Sequence, residues 1–311
     1  MKTIDIKEGL YKKIKAESAS NTLKTDKEIY LFISFDLVDS TVFKTKIENK
    51  SIWQYVIFYF YDTFNIAKTT ILKKMFVWKY IGDEIILCAK IDSIDELQDI
   101  PKKAFELQNK ISKEIQERFK IKLDIKGALW LAPVVYYDRG QIEEFNKNAK
   151  SKGSNRIKNN IYKNIKIILN NGLVPTYDFL GPDIDTGFRI AKYAYKNKII
   201  LSAEYAYLLL KQLDEAEKKK IKIVSFEHLK GVWDDRAYPI IWYYNDWSNI
   251  NDDFEYDEYK KNNIIRDIKN RKDLSYLETV FKQLTKLDEI KKFLEECKTI
   301  KSCQKNNNKE A

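Results

Sequence analysis

Histidine is almost absent from this 311-residue chain: His228 stands alone, which excludes metal centres built from several imidazoles and leaves carboxylates as the available metal-binding chemistry. Cys88, Cys297 and Cys303 are odd in number and form no CxxC pair. A disulfide framework and a zinc ribbon are both excluded, and a reducing cytoplasm is the expected compartment. With 9 Gly and 5 Pro, collagen-like and low-complexity architectures are excluded as well. No uninterrupted apolar run is long enough to cross a membrane, because the longest, Ile52 to Ala67, is broken by Gln54, Asp62 and Asn65. The first residues, MKTIDIKEGLYKK, contain no apolar signal core. Arginine is scarce too, with seven among 56 basic residues, so each one draws attention.

What is present is 44% hydrophobic, 14% aromatic and 33% charged residues, the composition of a globular chain with a substantial core and a charged surface. The net charge of +10 favours polyanionic partners such as nucleotide phosphates. The lysines are interspersed with Glu and Asp along helical faces instead of forming one basic stripe. They read as solvated surface, and a nucleic-acid interface is not expected.

Residues 29–36, IYLFISFD, form a nearly continuous apolar run ending in a carboxylate, the pattern of a buried central strand with Asp36 at its mouth. Trp53, Val56, Ile57, Phe60, Phe64, Ala67 and Ile71 recur at helical spacing, predicting a core-facing helix within 42–73. In residues 75–91 two apolar runs flank Ile81-Gly82-Asp83, predicting a hairpin with Asp83 at its tip. A helix is expected from Pro101 through Phe119, and a strand over 121–131. Residues 141–172, rich in Asn and Lys, read as an exposed excursion with strand content at Ile165 to Leu169. Beyond it come a strand near Phe179, a helix over 184–196, strands at 199–202, 221–226 and 238–244, and a helix from 203. Ser275 with Glu278 makes a capping box for an amphipathic helix reaching Leu294. The alternation predicts a layered α/β or α+β domain. His228 and Cys88 read as structural, and Lys44 as surface.

Three separated segments carry the chemistry: FISFDLVDST at 32–41, WKYIGDE at 78–84 and YDFLGPDIDTGFRIAK at 177–192. Two place carboxylates at a strand end and a hairpin tip. The third gathers Asp178, Asp185 and Arg189 around a helix start. Together, and in this order, they resemble the class III nucleotide cyclases. IILSAE at 199–204 and HLKGVWDDRAYPIIWY at 228–243 extend the resemblance over about residues 28–244.

The resemblance implies a ferredoxin-like catalytic domain with a mainly antiparallel central sheet, helices on one face, and a C-terminal helical extension. In domain terms it gives residues 1–27 as an N-terminal segment, 28–247 as the cyclase domain containing the 141–172 excursion, 248–297 as the extension and 298–311 as a disordered tail. It implies two divalent cations, Mn²⁺ or Mg²⁺, held by Asp36, Asp83 and the Leu37 carbonyl. Ser40 and Thr41, in the turn entering a helix, would meet the triphosphate. Arg189 would bind phosphoryl oxygens as charge builds, and Asp185 would orient the ribose. Oxygen ligands suit these hard cations, and the planar, permanently charged guanidinium suits a transferring phosphoryl group. Two departures from the family pattern stand out: Asp39 occupies the usual glycine position, and Asp185 stands where Asn is common.

Lys79 and Asp178 occupy the base-recognising positions. A donor and an acceptor so placed can satisfy adenine, cytosine or uracil, so this pair leaves the base open. DIDTGFRIAK and SFDLVDST are most similar to the pyrimidine cyclases of Pycsar anti-phage systems. That implies UTP or CTP as substrate, UTP preferred, and a separate effector that responds to the cyclic product. The family forms its sites between antiparallel protomers, which implies a homodimer with Asp36 and Asp83 of one chain facing Lys79, Asp178, Asp185 and Arg189 of the other. Adenylate cyclisation, nucleotide binding without turnover, and a basic nucleic-acid module are the alternatives.

Overall fold

The computed structural model describes residues 27–137 apart from 47 and 49, residues 165–169, residues 176–247 apart from 211, 234 and 235, and residues 272, 273 and 277. The chain divides into two compact units, Ile29–Ala132 with Pro182–Ala311, and Met1–Glu28 with Pro133–Gly181.

In the larger unit the apolar run following Lys27 forms β1 (Lys27–Leu37). Two helices follow, α1 (Ser40–Thr45) and α2 (Trp53–Ile71), the second being the core-facing helix expected within 42–73, with Val56, Ile57, Phe60, Phe64 and Ile71 buried. They separate because the chain turns extended at Lys46. The hairpin is β2 (Phe76–Ile81) and β3 (Glu84–Ile91), joined through Gly82, whose φ of 64° is one that L side chains rarely adopt. Next come α3 (Ile100–Phe119), with proline in its first turn as expected, and β4 (Ile125–Tyr137). After the smaller unit's strands β5 (Ile165–Leu169) and β6 (Thr176–Leu180), the chain forms α4 (Pro182–Ala191) and β7 (Ile199–Leu201). It ends with α5 (Ala203–Leu210), α6 (Glu215–Lys218), β8 (Ile221–His228), β9 (Ala237–Tyr243) and the short β10 (Lys272–Asp273).

The sheet of the larger unit runs β10-β8-β9-β7-β4-β1-β3-β2. β1 and β2 pair with β3 antiparallel, and β8 with β9, β7 with β9 and β10 with β8 likewise, while β4 pairs with β7 in parallel. The fold is α+β with a mainly antiparallel central sheet, as expected. In the smaller unit β5 and β6 pair antiparallel, with Asp178 opposite Ile167, and β5 runs parallel to residues 135–137 of β4.

Strand alternation sorts β1 into two apolar faces. Phe35 stacks on Phe64 of α2 at 4.2 Å, with α3 packed beside α2 over the same side. Phe32 points the other way, stacked on Trp130 of β4 at 5.4 Å and edge-on to Trp78 of β2 at 5.2 Å. Helices were expected on one face, but α4 lies on this second one. Its Phe188 ring is 5.9 Å from Trp130 and 6.1 Å from Trp78. The close approach depends on Gly187, where a Cβ would fall 2.2 Å from the Trp130 indole.

The N-terminal segment before Lys27, residues 138–164 of the excursion, the helix expected over 275–294 apart from Leu277, and the tail lie outside the described residues. Leu277 is helical and fully buried. Among the described residues no helix is long and apolar enough to cross a membrane.

Candidate functional site

Asp36 ends the buried run of β1 and is paired across to Glu84, the first residue of β3. Asp83 sits beside that pair because the hairpin loop is only Gly82-Asp83, and the Leu37 amide donates to the Asp83 carbonyl at 3.4 Å. A strand end and a hairpin tip, 47 positions apart in sequence, thus present two carboxylates at one mouth. The Ser40 hydroxyl donates to Asp83 Oδ2, and Lys44 Nζ lies 3.3 Å from Asp83 Oδ1. Lys126 Nζ on β4 lies 3.0 Å from Asp36 Oδ2. The Tyr61 hydroxyl of α2 donates to the Gly82 carbonyl and pins the tip from the other side.

Electrostatically the mouth is crowded with negative charge. Burial pushes the Asp36 carboxyl above its ordinary range, the Asp83 charge pushes it further, and the Lys126 ammonium opposes both. Burial likewise pushes Glu84 up to about 7, against a hydrogen bond from Ser34. Each of the two aspartates has a lysine beside it, as expected where half-buried carboxylates need a cation.

The entry to α1 explains the departure at residue 39. Asp39 adopts φ 56°, ψ 24°, the left-handed region that glycine takes at no cost and that Asp tolerates better than most L residues. Asp39 therefore keeps the backbone course a glycine would give. Its side chain makes no cap hydrogen bond, while its carbonyl accepts from the Phe43 amide at 2.9 Å. Ser40 is buried and Thr41 exposed.

The remaining predicted residues lie elsewhere. Asp185 and Arg189 are one turn apart on α4, the first exposed in its first turn and the second half-buried in its last, signs that suit the helix dipole. Asp36 shares alternation parity with Phe32, so its side chain is on the sheet face that α4 covers. Lys79 is on β2, its Nζ 4.7 Å from the centroid of the Trp78 ring. Asp178 belongs to the smaller unit, half-buried, and accepts from the Phe179 amide at 2.9 Å. His228 ends β8 at the surface, and Cys88 is buried in β3 outside any disulfide, both outside this group.

Three participants escape a linear reading. Lys126 and Glu84 are drawn to Asp36 by strand pairing, and Lys44, expected at the surface, is half-buried beside Asp83. The one signal for Lys126 was a lone cation within the apolar run Ile125 to Ala132.

The carboxylates of Asp36 and Asp83 suit a hard divalent cation, as would the Leu37 carbonyl that the resemblance adds to them. Among the described residues no three His, Cys, Asp or Glu side chains form a metal-holding group. Such a pair is the usual provision for Mg²⁺, which takes one or two carboxylates and completes its shell with water and substrate phosphate.

No family model and no curated protein matches this chain. Among solved structures it is similar to the adenylyl cyclase CyaB from P. aeruginosa, at 12% identity over 72% of this chain and 97% of that one, with a TM-score of 0.49. It is similar to the guanylyl cyclase Cya2, at 13% identity over 70% and 92%, TM-score 0.48. The guanylate cyclase domain of RhGC from Catenaria anguillulae, solved with GTP, matches at 14% identity over 70% and 96%, TM-score 0.44.

Proposed function

We propose that this chain is a class III nucleotide cyclase that converts a pyrimidine nucleoside triphosphate, UTP in preference to CTP, into its 3',5'-cyclic monophosphate and pyrophosphate. The observation that carries the reading is the convergence of Asp36 and Asp83, with Ser40 on Asp83, at one mouth of the sheet. These positions came from two separate motifs, and a chance match gives no reason for them to meet.

In this reading Asp36, Asp83 and the Leu37 carbonyl hold two divalent cations. Bound there, the cations supply the charge that makes the ribose 3'-hydroxyl a nucleophile and the pyrophosphate a leaving group. Ser40 and Thr41 meet the triphosphate at the start of α1. Arg189 binds the α-phosphoryl oxygens while the 3'-oxygen forms its bond to phosphorus and the bond to pyrophosphate breaks. Asp185 accepts a hydrogen bond from a ribose hydroxyl and fixes the sugar for in-line attack. Lys79 and Asp178 address the base edge. The chain works as a homodimer in which each site takes its metal carboxylates from one protomer and its Arg189 from the other. Its product acts on a separate effector in anti-phage signalling, a role that rests on the Pycsar resemblance of the two motifs.

The test is incubation of the purified protein with each of ATP, GTP, CTP and UTP in Mn²⁺ and in Mg²⁺, with products resolved by mass. Cyclic UMP or CMP, absent from Asp36→Ala, is the expected result, whereas cyclic AMP would transfer the assignment to an adenylate cyclase. Asp36→Ala and Arg189→Ala, each inactive alone, should regain activity when co-assembled. Inactive heterodimers would overturn the shared site.

A further inference from the structure

A strand normally sends neighbouring side chains to opposite faces. Trp78 and Lys79 break this rule, since the Lys79 ammonium lies over the Trp78 indole. The pairing of β2 with β3 explains how. Val77 pairs with Leu87 and Lys79 with Ile86, so two successive residues of β3 face three of β2 and Trp78 is the extra one. This is a β-bulge, a device that re-aims a side chain and concentrates beside functional sites. Downstream of it the register is regular again through Tyr80 and Ile81 to the tip that carries Asp83.

The indole that receives Lys79 is itself held in place. It meets Phe32 of β1 edge-on at 5.2 Å and Phe188 of α4 at 6.1 Å, and Phe188 immediately precedes Arg189. A flexible lysine is therefore laid on a ring anchored both to the central strand and to the helix that bears Arg189.

We propose that the bulge at Trp78 makes this tryptophan a positioning residue for base recognition, holding Lys79 in its binding orientation and registering it against the Arg189 helix. The inference rests on the nucleotide-cyclase reading and deepens it. Lysine spends many rotamers in water, and a cation held over an aromatic face loses that freedom before the nucleotide arrives. The benefit falls on the base edge, so it shows in nucleotide affinity and discrimination and leaves the phosphoryl-transfer step intact.

The experiment compares wild type, Trp78→Phe, Trp78→Leu and Lys79→Met, each alone and with Lys79→Met in the Trp78→Leu background, by steady-state kinetics on all four triphosphates. Trp78→Leu should raise KM for the preferred nucleotide about tenfold, as loss of a partly desolvated cation–ring contact does, and narrow its preference over the other bases, with kcat within about twofold. Trp78→Phe retains an aromatic face and should restore most of the preference. Lys79→Met should add nothing once Trp78 is Leu. A Trp78→Leu protein with unchanged preference, or with KM raised equally for every base, overturns the proposal while leaving the cyclase reading in place. An NMR readout is independent of turnover: the Lys79 Cε protons should be shifted upfield by the indole in the full chain and return in Trp78→Leu. Unshifted protons overturn the proposal whatever the kinetics. A wild-type protein that neither binds nor turns over any nucleotide defeats the cyclase reading and the recognition role with it.

Discussion

Replacing Gly187 by alanine adds one methyl group where α4 meets the sheet, and the structure sets its cost. An ideal Cβ at this position falls 2.2 to 2.3 Å from three atoms of the Trp130 indole, where ordinary contact begins at 3.4 Å. Helix or indole must therefore retreat by about 1 Å, on the order of the displacements that make overpacked cores unstable. Trp130 has nowhere to go: it is 1% exposed, stacked on Phe32 and flanked by Phe188. Overpacking of this severity costs about 3 kcal/mol, at the upper end of the usual range. Alanine returns about 1 kcal/mol through its higher helix propensity, leaving a net loss of about 2 kcal/mol. Urea unfolding followed by circular dichroism reads this as a lower midpoint at unchanged slope. Adding Trp130→Ala, which removes the colliding indole, should make the double variant more stable than the sum of the two single losses predicts. On the proposed cyclase reading, in which α4 carries Asp185 and Arg189 to the nucleotide, turnover of Gly187→Ala should fall as well, by about tenfold for a small misplacement of a reacting group. A Gly187→Ala protein as stable as wild type would refute the packing argument outright.

Gln108 is fully buried on α3 with neither side-chain polar atom bonded, so Gln108→Met, which keeps the length and removes the desolvated amide, should stabilise the fold by about 1 kcal/mol in denaturant. A loss of stability would reveal an internal water serving that amide. Lys126→Met strips Asp36 of the cation at 3.0 Å and leaves it facing the carboxyls of Asp83 and Glu84. The melting temperature should drop by an amount equivalent to about 1 kcal/mol, and millimolar Mn²⁺ should restore it; equal recovery with Na⁺ at the same ionic strength would argue against a metal pair. Tyr205 donates to the Leu97 carbonyl at 2.8 Å and Tyr238 to Glu204 at 3.1 Å, both from full burial, and burial holds both hydroxyls well above the ordinary tyrosine range. Because their folded values exceed the unfolded one near 10, their contribution is intact below about pH 10 and is lost as pH rises beyond it. Unfolding midpoints should fall steeply above pH 10, and less so in the Tyr205→Phe, Tyr238→Phe double variant.

Much of the site was readable along the chain because its signals are local. An apolar run ending in Asp36 reads as a strand with a carboxylate at its mouth, and Gly82-Asp83 between two apolar runs reads as a tip, since period and turn chemistry are properties of a few adjacent residues. The exchange of glycine for Asp39 was visible but not interpretable: its left-handed φ shows that the backbone course survives the exchange. The helical period within 42–73 was equally local, and α2 bears it out, whereas Lys44 read as surface because nothing near it in sequence announces Asp83, 39 positions on.

Hydrophobic period and turn chemistry thus settled a layered domain of strands and helices, the strand end at Asp36, the hairpin tip at Asp83 and the helix bearing Asp185 and Arg189. Folding settled who stands beside them. Lys126 reaches Asp36, Glu84 is buried to a carboxyl near 7, Gly187 admits α4 to the second face of the sheet, and the bulge turns Lys79 onto Trp78. Each of these depends on cross-strand register or on packing between segments distant in sequence. Such pairings are fixed by the burial of whole faces at once, and no short stretch of residues encodes them.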